Sequence, residues 1–434
     1  MSQTRQRRAA IAEFGGWRAL RHRNYRLFFV GQLISLVGSW MQSVAQGWLV
    51  LQLTGDPFWL GVTFAAQFAP VLLLGLFGGV IADGLPKRRT LIATQTASML
   101  LAFLLFALAV TNVVTVTHVV VLGLVLGVVN AVDMPTRQSF AVEMVGRDDI
   151  GNAVALNSAV FNGARIVGPA VAGLAIGATG VASAFLINGL SFLAVIAAYV
   201  RMSDGDLLGS PPAPRPSTVA QVKDQLGEGL SYVRTTPAVL APIVVIGLVA
   251  TFAMNFNVLI PPLAKDILHV GAVGFGFLMA ASGLGSLVAA LSIAFARRNR
   301  IALLGLGAIL NGAAQLVLAA SGSMGLSMIA MFAAGLGAIA MAATANTAIQ
   351  LTVPDALRGR VMSVYATVFA GSTPVGALIA GFLASSIGVP QAIAVGAVMS
   401  LATGLGVLIW YRRSGPAPGS AAGSGPAVAT GDAP

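Results

Sequence analysis

Asp133 and Arg165 are the only acidic and basic residues well inside the apolar runs of this chain. A charge in hydrocarbon is costly, so such residues face a bundle interior and pair with one another. Arg165 lies 14 residues after Gly151, roughly 21 Å along a helix, and Asp133 lies 11 residues before Met144, roughly 17 Å. Their similar depth predicts a salt bridge between them, with Ser158 and Asn162 on the helix face of Arg165. Such a pair either holds the fold or takes up and releases a proton.

A second pattern is a run of neutral polar residues. Gln32, Ser35, Ser39, Gln42 and Gln46 recur every three or four positions and form one stripe on an otherwise apolar helix. Facing lipid, the stripe would leave several amides unsatisfied, so it faces neighbouring helices or a water-filled cavity. Other chemistry is missing. There is no cysteine, and His22, His118 and His269 are far apart, so no metal site is expected. Neither a catalytic constellation nor a GxxxxGK nucleotide loop is present, and neither enzyme activity nor a cofactor is expected.

The elements that position these residues are membrane helices. Of the 434 residues 57% are hydrophobic and 9% charged, too few charges to keep the chain in water. Runs of about 20 apolar residues, the length that crosses a bilayer, repeat from end to end. Twelve crossings have the approximate limits Leu27 to Leu53, Phe58 to Ala82, Thr90 to Val110, Val116 to Glu143, Asn152 to Ile176, and Val181 to Val200, then Ala238 to Pro261, Val273 to Ala296, Ile301 to Ala320, Met324 to Ala348, Val361 to Ile387, and Pro390 to Tyr411. Leu27 to Leu53 is too long for a secretory h-region and reads as the first crossing.

The expected division is an N-terminal segment at 1–26, a six-helix bundle at 27–201, a linker at 202–237, a second six-helix bundle at 238–412 and a disordered tail at 413–434. Trp17, Leu20 and Phe28 between arginines suggest either a short helix lying on anionic lipid or a solvated basic tail. The linker opens with GSPPAPRP, which cannot be helical. It continues with Val222, Leu226, Leu230 and Val233 at helical spacing, suggesting a surface helix linking the halves.

The net charge of +11 would suit a nucleic-acid partner, but 23 of the 25 basic residues fall in alternate loops and at the two ends. The positive-inside rule places both termini in the cytoplasm and the protein in the cell membrane, with the lipid bilayer and not nucleic acid as partner. The halves also repeat. Gly168 and Gly173 in GPAVAG answer to Gly376 and Gly381 in GALIAG, Gln138 to Gln350, and Arg88 to Arg298, at offsets of 208 to 212 residues.

After the second crossing comes GVIADGLPKRR. Its Gly79, Asp83, Lys87 and Arg88 match the GxxxD plus double-basic pattern of major facilitator proteins, departing from it at Gly84 and Pro86. RNYRLFFVGQLISLVGSWMQSVAQGWLVLQLTG, DMPTRQ, ARIVGPAVAG and VPDALRGRV resemble the enterobactin-exporter and macrolide-efflux branch, the transmembrane secretion effector type. The resemblance spans nearly all the chain except the tail. It implies an all-α major facilitator fold of two pseudo-symmetric bundles, with substrate bound between the halves near mid-membrane.

The same resemblance assigns residues. Gly79, Asp83, Lys87 and Arg88 would form a latch for the outward-facing state, the alternative being positive-inside charge alone; physically, the basic cluster would hold the loop on lipid headgroups. Gly168, Pro169 and Gly173 form the packing motif of the fifth crossing, which lacks the doubled terminal glycine of the antiporter signature. The family's central arginine of the fourth crossing is missing from LVLGVVNAVD. Crossings 1, 4, 7 and 10 would line the cavity, adding Asn130, Asn255, Asn257, Thr344 and Asn346 to the first stripe and Asn162. The function implied is secondary active, proton-coupled efflux of a small amphipathic compound, a drug or siderophore, by a monomer. Asp133 is the acid placed to carry the proton. Alternatives are an uptake permease or facilitator of the same fold and a non-transporting membrane sensor.

Overall fold

The computed structural model describes residues 16–207, 219–295 and 302–414, with side chains at all of these except 76–84, 147, 219–223, 225, 294, 295 and 414. Among the described residues all regular structure is helical, and twelve spans are long and apolar enough to cross a bilayer. The first half comprises α1 Arg23–Thr54, α2 Pro57–Gly84, α3 Lys87–Val110, α4 Val116–Gly146, α5 Asp148–Thr179 and α6 Ala182–Val200. A linker helix, α7 Val219–Thr235, leads to α8 Pro237–Ala253 and α9 Phe256–Pro262, which together make one crossing. The second half continues with α10 Gly271–Phe295, α11 Ala302–Ala320, α12 Met324–Thr352, α13 Asp355–Ile387 and α14 Val389–Ser414. An even number of crossings puts both ends of the described chain on one face, here called the terminal face.

Local chemistry sets the helix ends. α1 stops at Gly55, whose φ of 64° lets its N–H turn back to Leu51 O at 3.0 Å. The Asp56 carboxylate then accepts from Phe58 N at 2.9 Å, with Pro57 opening α2. Gly146, at φ 71° and ψ −178°, separates α4 from α5 in a conformation that only glycine adopts freely.

The seventh crossing departs from the sequence expectation of one continuous run. It breaks at Met254 and Asn255 and closes with a wide π turn, Leu263–Ile267. Asn255 Nδ2 donates to Thr251 O at 2.7 Å, taking a carbonyl from the helical ladder, and Pro261 and Pro262 supply no N–H of their own.

Three apolar cores locate the join between the halves. Towards the far face one core is common to both: Trp48 of α1 stacks on Phe275 of α10 with ring centroids 6.3 Å apart, and Leu60, Ile176, Leu259 and Ile393 belong to the same cluster. Towards the terminal face the cores are private. Tyr25, Phe140 and Tyr199 pack within the first half, and Ile246, Met341 and Val361 within the second.

Small residues bring the halves together at two equivalent places. A Cβ on Gly61 of α2 would lie 2.4 Å from Ala377 O and 3.2 Å from the Cα of Gly381 on α13. A Cβ on Gly276 of α10 would lie 2.3 Å from Pro169 O and 2.9 Å from the Cα of Gly173 on α5. Gly173 and Gly381, matched by the internal repeat, thus make the same contact in opposite halves.

The peripheral segments are docked. Arg18–Arg21 forms a 3₁₀ turn in which Ala19 N donates to Asn152 Oδ1 at 2.9 Å, and Arg18 pairs with Asp149 at 3.2 Å. Trp17 is exposed, but Phe28, grouped with it in the sequence reading, is buried within α1 because its helix face points into the first-half core. Leu226, Tyr232 and Val233 of α7 pack on the second-half core, and Glu228 pairs with Arg360 at the start of α13. The GSPPAPRP stretch, Arg298 and the tail after Ser414 lie outside the described residues.

Candidate functional site

A polar cavity of about 250 Å³ is walled almost wholly by the first half. Gln42, Gln46, Ser35 and Ser39 of α1 line it, with Gln67 of α2, Asn130 and Asp133 of α4, Asn188 of α6 and one second-half residue, Asn257. A larger space of about 570 Å³ continues from it past Gln32, Asn162 and Ile150 to Phe28 and Val154. Those residues lie in the parts of α1, α4 and α5 nearer the terminal face. Leu36, Met134, Arg137 and Phe161 line both spaces and form the neck between them.

Polar side chains of the α1 stripe bond to neighbouring helices and also lie on the two spaces. Gln32 Nε2 donates to the Tyr199 hydroxyl at 3.2 Å, and Gln42 Oε1 accepts from Asn188 Nδ2 at 2.6 Å. These are interhelical bonds, yet the same side chains face the cavities. Asn162 donates to Ser158 O at 2.8 Å on its own helix.

Asp133 and Arg165 do not pair. The Asp133 carboxylate, nearly inaccessible at 3%, accepts from Thr94 Oγ1 at 2.7 Å and Gln95 Nε2 at 2.8 Å and faces Arg137 Nη2 at 3.5 Å. Arg137 Nη1 donates in turn to Gln32 Oε1 at 2.9 Å. Arg137, one turn away on the same helix, reaches the carboxylate instead. Arg165 has no carboxylate within salt-bridge distance among the described residues; its guanidinium carbon lies 6.0 Å from the Trp40 ring centroid. Trp40 in turn meets Phe161 edge-on at 5.7 Å.

Arg137 is thus a site residue that sequence reasoning missed, having been grouped with the topological charges of the loops. The signal was its i,i+4 spacing from Asp133 within DMPTRQ. Thr94, Gln95, Asn188 and Tyr199 were missed as well, since single polar residues in apolar helices carry no periodicity.

Other assigned residues fall elsewhere. Asn255 is buried against Gly376, Thr344 donates to Ala340 O, and Asn346 accepts from Gln350; none lines either cavity. Gly168 seats Trp40, whose Cβ would lie 2.5 Å from a Cβ added there. At the hairpin, Lys87 pairs with Glu143 at the end of α4. Arg88 donates to Tyr199 O and Val200 O, both at 2.7 Å, and to Asp204 at 2.6 Å. The basic pair therefore ties α3 to the ends of α4 and α6, because helix-terminal carbonyls and two acids lie within reach, while Arg89 beside it is exposed. The side chain of Asp83 and the packing of Gly79 lie outside the described residues.

Residues 14–420 match the transmembrane secretion effector family. The chain belongs to that family. Its relatives include the multidrug efflux pump Tap of Mycolicibacterium fortuitum, 29% identical over 83% of this chain and 89% of that protein. The enterobactin exporter EntS of Shigella boydii is 24% identical over 62% of this chain and 63% of that protein. The staphyloferrin A transporter of Staphylococcus aureus is 27% identical over 39% of this chain, and that match spans less than half, 44%, of the relative. In fold, the chain resembles a bacterial homologue of the human lysosomal transporter Spinster in an inward-facing, occupied conformation, with a TM-score of 0.71, 13% identity, and 92% and 99% of the two chains covered. This member of the family is a multi-pass membrane transporter of major facilitator type.

Proposed function

We propose that the protein is a proton-driven exporter of small amphipathic compounds, working by alternating access in the cell membrane with both termini cytoplasmic. The observation that carries this reading is the asymmetry of the join: a polar cavity leads towards the terminal face, where the cores are private, and is sealed from the far face by the common core. Basic residues crowd the terminal face, as cytoplasmic loops do, so the conformation described is inward-facing. The relatives named for multidrug efflux and enterobactin export support the outward direction.

The Asp133–Arg137–Gln32 relay suits coupling. A proton taken by Asp133 cancels the charge that holds Arg137, and frees the guanidinium at the neck to meet substrate or Gln32 alone. Proton and substrate thereby act on one side chain. The test is accumulation of ethidium, a catecholate siderophore and chloramphenicol in cells with and without the protein, with and without an uncoupler. Lower accumulation of at least one compound, restored by the uncoupler, is expected. Equal accumulation of all three with and without the protein overturns export.

A further inference from the structure

The closed end of the small cavity holds amides that the protein itself leaves without partners. Gln46 is only 1% exposed, yet neither its Oε1 nor its Nε2 finds a hydrogen bond among the described residues. Gln67 Oε1 is likewise buried and unpartnered. The two approach one another across Gly123, where an added Cβ would lie 3.9 Å from both Gln46 Nε2 and Gln67 Cβ. Asn257 completes the end from the second half, its backbone carbonyl 3.6 Å from the position of a Cβ on Gly47.

A carboxamide buried without a partner is costly, and here two such groups share one wall. Leucine in the same places would seal the core without penalty. The cluster carries both donors and acceptors and no ionisable group, whereas Asp133 of the same cavity and Arg137 at the neck already face each other as an ion pair. We infer that this end of the cavity is a neutral hydrogen-bonding subsite that receives the hydroxyl or amide head of the substrate, with the apolar body lying back against Trp40 and Phe161. The inference rests on the transport reading above and narrows it to uncharged, hydroxyl- or amide-bearing amphipaths. Because Gln46 and Asn257 belong to different halves, a head group bonded to both also favours the far-face-closed state.

Chloramphenicol is a suitable probe, being neutral and carrying an amide, two hydroxyls and a nitrophenyl ring that quenches tryptophan. Its binding to the purified full chain is read by quenching of intrinsic fluorescence and compared with its diacetate and with ethidium, in the wild type, Gln46→Leu and Gln67→Leu. Chloramphenicol is expected to bind, the diacetate at least tenfold more weakly. The cation ethidium should bind the wild type at least tenfold more weakly than chloramphenicol, and each variant should weaken chloramphenicol at least tenfold and melt no lower than the wild type. A purely structural role for the amides would instead lower the melting temperature. No chloramphenicol binding, or equal binding by the wild type and both variants, overturns the subsite. If ethidium or the siderophore is still exported in cells, the transport reading survives that failure; if nothing is exported, both fall.

Discussion

Arg137 faces Asp133 at 3.5 Å from the next turn of α4, and its other amino group holds Gln32 of α1 at 2.9 Å. One guanidinium therefore joins the acid of the inner cavity to the helix that carries the polar stripe. Asp133→Asn keeps the contacts from Thr94 and Gln95 but removes the charge. Efflux driven by an imposed pH gradient in proteoliposomes is expected to fall at least tenfold, with substrate affinity within a few-fold. Retained gradient-driven efflux would rule Asp133 out as the required proton carrier.

The same pair has a stability signature. Arg137→Met leaves the buried carboxylate with neutral donors only, and its cost is expected to be about 1–3 kcal/mol, below that of a fully buried pair since 26% of the Arg137 side chain is exposed. The double variant Asp133→Asn/Arg137→Met should recover most of that loss. A double-mutant cycle by denaturant titration measures the coupling; additive losses would mean that the two side chains do not interact energetically.

At the far face, Gly61→Leu drives a side chain into Ala377 O and the Gly381 backbone. The seal should open. The chain has no cysteine, so Ser43→Cys provides a single thiol inside the cavity. Its labelling by an impermeant maleimide from the far side is expected to rise at least fivefold in the Gly61→Leu background, and an unchanged rate would contradict the assigned seal.

Arg88→Lys tests the hairpin. A single ammonium cannot reproduce the bonds from Nε and Nη2 to Tyr199 O and Val200 O. The expected loss is about 1–2 kcal/mol, chiefly from those carbonyls, because Asp204 is 77% exposed and adds little. Thermal unfolding followed by tryptophan fluorescence reads it.

Gly146→Ala should cost about 1–3 kcal/mol, because φ 71° with ψ −178° is a region that side chains avoid. Gly151→Ala, a helical glycine with open space around it, serves as the control expected to be neutral or stabilising.

What could be read in advance followed from one-dimensional physics. Hydrocarbon thickness fixes run lengths, so all twelve crossings were legible, and small-residue spacing exposed the repeat that relates Gly173 to Gly381. Azimuth was not legible. Similar helical rise joins Asp133 to Arg165 on paper, but rise says nothing of which neighbour a side chain meets, and Arg137 and Trp40 are the neighbours found. Arg137 sits nine residues before Gly146, close enough to a loop to count as a topological charge, and only its spacing from Asp133 hinted otherwise. The break at Asn255 was hidden because a carbonyl captured by a side chain leaves hydropathy unchanged.

In the alternating cycle proposed above, the common core behind Trp48 and Phe275 would set a thermal character. Opening the far face wets apolar surface, so the step carries a positive heat-capacity change and its equilibrium constant curves with temperature. Cooling weakens the apolar seal at the far face, so the proposed balance between two orientations should drift with temperature even when no other condition has changed.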